Sequence, residues 1–172
     1  MKILILSNYA NGLFLFRKEV ISSFIQKGAE VLISVPFDEN CAKLENLGAR
    51  IVSCNLERRG MNPVKDLKLL KQYQALLKTE VPDLILTYTI KPNLYGGIAA
   101  RGCRIPYAMN ITGLGTALEN PGFLGKYYYF YTDMLPQKPC VYSSKMKEIC
   151  NLCKSIKSHY KTLIYFQAPA SI

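Results

Sequence analysis

The residues of this chain best suited to ligand chemistry lie in three short polar segments, each behind an apolar run. They are SNYANG (Ser7 to Gly12), TYTIKPN (Thr87 to Asn93) and NITGLG (Asn110 to Gly115). Amides, hydroxyls and glycines bind sugars or phosphates without themselves moving protons. Histidine chemistry is poorly supported, because His159 is the single histidine. Cys150 and Cys153 form one isolated C-x-x-C, and a zinc site needs a second pair of ligands. A dinucleotide cofactor is also disfavoured: the first turn carries only Gly12, not G-x-G-x-x-G. The expectation is no metal, no cofactor and no identifiable catalytic side chain.

These segments need a scaffold that brings strand ends together. Ile3 to Leu6 reads as a short buried parallel strand, and in parallel α/β sheets ligands sit where strands end. Phe16, Val20, Ile21, Phe24 and Ile25 recur at helical spacing, with Gly28 placed to cap the helix. EVLISV, ARIVSC, DLILTYT and PYAMNIT supply further strands. Between them lie a short helix ended by Gly48 and a longer one opened by Asn62-Pro63, with Leu67, Leu70, Tyr73, Leu76 and Leu77 on its apolar face. Lys65, Lys68, Lys71 and Lys78 lie away from that face, as a solvated surface or as phosphate contacts. A further helix is expected from Pro92, where Lys91 and the free N–H groups of a helix start suit an anionic or hydroxyl-rich ligand. Proline is equally a plain helix opener, and Gly113 and Gly115 equally supply turns. Strand-helix alternation predicts an α/β, Rossmann-like domain with a mainly parallel sheet flanked by helices.

At 172 residues and 49% hydrophobic content, the chain suits one domain with a substantial core. It contains no run of about 20 apolar residues, and its start reads as a strand and not as a signal peptide, so a cytoplasmic location is expected. The six cysteines lack framework spacing and are expected to be free thiols. A net charge of +10 draws the surface towards phosphates of nucleic acid, anionic lipid or small molecules. No aromatic-basic platform supports nucleic acid.

The opening KILILSNYANGLFLFRKEVISSFIQKGAEVLISVP, the central LILTYTIKPNLYGGIAAR and the following NITGLGTALEN resemble the N-terminal, acceptor-side domain of bacterial family-four glycosyltransferases. The resemblance implies one half of a two-domain GT-B enzyme. That enzyme would transfer sugar, with retention, from a nucleotide-sugar donor to a lipid-linked or polysaccharide acceptor during capsule or O-antigen synthesis. Asn11, Gly12, Lys91, Asn110, Thr112 and Gly113 would line its substrate cleft. Peripheral contact with an anionic membrane is the matching expectation. Relatives often place a histidine in the cleft, where this chain reads MNITGLG, so no catalytic role carries over. The family's donor site lies mainly in the C-terminal domain, so the chain is expected to be inactive by itself. Two rivals remain: a non-catalytic subunit that pairs with a separate donor-domain chain, and an oxidoreductase or epimerase fragment, which would need the missing glycine fingerprint.

The resemblance covers residues 1–126. The tail, residues 127–172, holds seven of twelve tyrosines and three of six cysteines, with no clean strand or helix period. Choosing permitted codons there and reading from the third base yields LLFLYRYA, FFQNEGNMQFM and LLPGSGVN in order, strings that resemble the family. The expectation is a frameshift near Lys126, with a variable extension or an interaction arm as the other readings of the tail.

Overall fold

A computed structural model describes residues 1–56, 62–111 and 163–167. Five parallel strands form the sheet: β1 (Lys2–Leu6), β2 (Glu30–Val35), β3 (Arg50–Ser53), β4 (Leu84–Tyr88) and β5 (Tyr107–Ile111). A sixth, β6 (Leu163–Gln167), pairs antiparallel to β5, giving the order β3-β2-β1-β4-β5-β6. The mainly parallel, helix-flanked sheet is the expected Rossmann-like architecture. β6 is a departure, because the tail gave no clean strand period. Its LIYFQ run is nonetheless rich in strand-favouring residues, and it completes the open edge of β5.

Alternate strand residues supply two core layers. Ile3, Ile5, Val31 and Ile33 pack with Leu13, Ile21 and Phe24 of α1 (Ala10–Gln26) and Leu44 of α2 (Cys41–Glu45). Leu4, Leu6, Leu32 and Ile85 face Leu69, Tyr73 and Leu77 of α3 (Pro63–Glu80), with Ala99 and Ala100 of α4 (Gly97–Gly102). β1 is sealed on both faces, with Ile3 to Leu6 fully buried, which is why it reads as a continuous apolar run. Asn62 starts α3 through its side-chain oxygen, which accepts from the Val64 and Lys65 N–H groups.

Three expectations change in detail. The first polar segment is not all turn: α1 begins at Ala10, so Asn11 and Gly12 lie in its first helical turn. The helical faces are rotated slightly, leaving Phe16 and Leu67 exposed while Leu13 and Leu69 take the buried positions. The helix expected from Pro92 starts at Ile90, and Pro92–Gly96 forms a π-helical turn leading into α4. The N–H of Asn93 is bonded to the Thr89 carbonyl oxygen at 2.9 Å, and Pro92 has no N–H to offer.

Candidate functional site

β1 and β4 are neighbours whose chains depart to opposite sides of the sheet, one towards β2 and the other towards β5. The crevice at such a switch point is where open α/β sheets hold ligands. A cleft of about 490 Å³ lies there. Its floor is Ser7 and Asn8 beyond β1, with Tyr88 and Thr89 at the end of β4. Its helical wall is Tyr9, Gly12, Leu13, Phe16 and Arg17.

Each wall residue is positioned by its element. Tyr9 precedes the first turn of α1, and its hydroxyl accepts from the Asn11 amide at 3.0 Å. The Tyr9 ring takes the space beside Gly12, where an added Cβ would come within 2.9 Å of it. The absence of a side chain at Gly12 therefore makes room for that ring. One helical turn beyond Leu13, the Arg17 guanidinium lies 5.5 Å from the centre of the Tyr88 ring and donates to the Phe16 carbonyl. Below the cleft, Thr87 donates to the Asn93 side-chain oxygen at 2.7 Å, and the Asn93 amide donates to the Asn110 carbonyl at 3.2 Å. Asn110 is buried, and its Oδ1 has no hydrogen-bond partner among the described residues.

Lys91 belongs to a different place. Its ammonium sits 2.7 Å from Asp66 of α3, with both side chains largely buried. The two line a second cleft of about 580 Å³ between the ends of β2 and β3 and the start of α3, with Lys65, Lys68 and Phe37. Burial and the negative Asp66 beside it push the Tyr95 hydroxyl up to about 12. Of the sequence-derived candidates, Gly12 lines the first cleft, Asn11 buttresses its wall, Asn110 lies beneath, and Lys91 faces the second. Thr112 and Gly113 lie outside the described residues. Tyr88 and Thr89 belong to the TYTIKPN segment, whereas Arg17 lies outside all three polar segments and carries no sequence signal that ties it to them.

Among the described residues, no carboxylate or imidazole lines the first cleft, and no cluster of metal-ligating side chains occurs. Cys41, Cys54 and Cys103 are free thiols. Burial pushes the Cys54 thiol up, as it does the neighbouring Tyr73 hydroxyl, which favours the protonated form of both at neutral pH. Aromatic rings, hydroxyls, an amide and one guanidinium remain. That set suits a polar ligand carrying an anionic group.

The glycosyl transferase 4-like family model matches residues 2–145 of the chain. The chain belongs to this family. A Campylobacter jejuni relative, the N,N'-diacetylbacillosaminyl-diphospho-undecaprenol alpha-1,3-N-acetylgalactosaminyltransferase, is 30% identical over 136 residues. That alignment covers 78% of this chain but 36% of the relative, so the chain spans about a third of that protein's length. Among solved structures, Acinetobacter baumannii MurG matches with a TM-score of 0.54 at 17% identity, over 73% of this chain and 38% of that one. A deacetylase of teicoplanin biosynthesis matches with a TM-score of 0.57 at 13% identity, over 64% and 63%. Likenesses at this identity establish the fold, which is that of one Rossmann-like half of a GT-B glycosyltransferase.

Proposed function

We propose that this glycosyl transferase 4-like domain binds the acceptor for transfer of a sugar from a nucleotide-sugar donor to a lipid-linked or polysaccharide acceptor in surface polysaccharide synthesis. The observation that carries the reading is the cleft at the β1/β4 switch point, where Arg17 on the Tyr88 ring adjoins the aromatic and hydroxyl groups that suit a sugar. The Campylobacter relative's name supplies the class of acceptor: a sugar joined through diphosphate to a polyprenol. In this proposal Asn11 and Gly12 shape the helical wall, Asn110 supports the floor, and Lys91 acts through Asp66. Thr112 and Gly113 belong to the proposed set of ligand contacts on the strength of the sequence alone.

The proposal includes the inner face of the plasma membrane as the place of action. Leu15, Phe16 and Ile90 are exposed near the cleft beside Arg17 and Lys18, a mixture of apolar and basic groups suited to an anionic bilayer. Among the described residues no helix is long and apolar enough to cross a membrane. Transfer requires donor phosphates and acceptor hydroxyl held in line, and two domains share that task in a GT-B enzyme. The 172-residue chain is therefore inactive within this proposal, with residues 1–126 as the domain and 127–172 as an out-of-frame tail.

Vesicle co-sedimentation tests the reading. The chain should bind anionic vesicles weakly and lose that binding in salt. It should bind better when the vesicles carry a polyprenyl-diphosphate-linked N-acetylhexosamine, and it should turn over no nucleotide sugar. Equal binding with and without the glycolipid removes the acceptor assignment, and robust turnover removes the claim of inactivity.

A further inference from the structure

Thr89 holds an unfavourable backbone conformation at the floor of the first cleft. Its φ is 74°, in a region that β-branched residues rarely enter. Among the described residues two other non-glycine residues share a positive φ, and both have a structural cause. Val81 (φ 45°) ends α3, and Arg104 (φ 55°) follows the end of α4, where left-handed residues close helices. Thr89 ends no helix. It joins β4 to the helical segment that starts at Ile90.

The surroundings force this conformation from both sides. Tyr88 is fixed by its register opposite Asn110 in β5. The Thr89 carbonyl accepts the Asn93 N–H, while the Asn93 side chain ties Thr87 to the Asn110 backbone. Strain maintained this way clusters at ligand sites. A second, independent observation concerns the side chain: Thr89 Oγ1 is buried and has no hydrogen-bond partner among the described residues. Buried hydroxyls nearly always have one. Thr89 also lines the cleft, and turning about χ1, a fast motion, carries Oγ1 out of its buried position.

We propose that Thr89 is a specificity-determining contact, whose hydroxyl turns into the cleft to bond a hydroxyl group of the acceptor's sugar. The inference rests on the acceptor reading above and adds to it the part of the ligand that meets this residue. A threonine hydroxyl both donates and accepts, as a sugar hydroxyl does, whereas a phosphate oxygen only accepts. The cation suited to diphosphate, Arg17, stands on the helical wall.

The test uses the 172-residue chain and two probes, a short-chain prenyl diphosphate with and without an attached N-acetylhexosamine. Thr89→Val removes the hydroxyl and keeps the branching. It should weaken the sugar-bearing probe about tenfold and leave the sugar-free probe unchanged. Thr89→Ser should bind both like the wild type. Thr89→Gly, which relieves the positive φ, should raise Tm while losing the same preference for the sugar. In the wild type, the Thr89 methyl NMR signal should report a changed χ1 only with the sugar-bearing probe. If wild type binds the sugar-bearing probe better but Thr89→Val behaves identically, or the rotamer does not change, this contact is overturned and the acceptor reading stands. Binding of neither probe by the wild type overturns both.

Discussion

Lys91 carries a charge that either an anionic ligand or Asp66 could neutralise, and the geometry favours Asp66. With the carboxylate 2.7 Å away and both side chains largely buried, the ammonium compensates a charge already withdrawn from water. Lys91→Ala should therefore destabilise the domain by about 3 kcal/mol, seen as a lower urea midpoint. The double variant Lys91→Ala with Asp66→Asn should recover much of that loss, because the stranded charge is gone. A silent Lys91→Ala would return the residue to the role of ligand-binding cation that its place beside a helix start suggests.

At the scale of elements, the approach of the segment after β4 to the sheet depends on Gly96. A Cβ added there would lie 2.6 Å from Leu6 Cδ1 and 3.1 Å from Thr87 Cγ2. Leu6 is fully buried and cannot swing into solvent, so Gly96→Ala should cost about 1–3 kcal/mol by overpacking. Thermal unfolding measures it, and an unchanged Tm would show that the π-helical turn yields instead. The run of Ile and Leu made β1 readable from sequence, and the small-residue run GGIAA carries the matching signal for this close approach. Helical faces were less readable: Phe16 and Leu67 fit an apolar stripe, yet both lie off the buried faces that Leu13, Val20 and Phe24 define on α1 and Asp66, Leu69 and Tyr73 on α3. The site was readable as strand ends, but the partner of each residue was not. Pairing Lys91 with Asp66 depends on how α3 crosses the sheet, and the strain at Thr89 has no local sequence signal.

For the whole molecule, the end of the sheet opposite the cleft carries an ionic clasp. Lys2, Glu30 and Arg50 open β1, β2 and β3, and Glu80 closes α3. Glu80 accepts from Arg50 at 2.6 Å and from Lys2 at 3.2 Å, while Glu30 lies 3.7 Å from each cation. The Arg50 hydrogen bond, with help from Lys2, holds the Glu80 carboxyl below its usual range. A carboxylate depressed in the folded state adds stability above its unfolded pKa and loses it as pH falls through the folded value. Glu80→Gln, which keeps the shape, should thus be less stable than wild type near pH 7, by no more than about 1 kcal/mol because Arg50 is half exposed. The gap should close as the pH falls through and below the ordinary carboxylate range. All 12 acidic residues protonate over the same range, adding self-repulsion to a chain already at +10, but both proteins share nearly all of that burden. Urea midpoints at a series of pH values therefore isolate Glu80, and a gap constant with pH would mean that packing, not charge, links α3 to the first three strands.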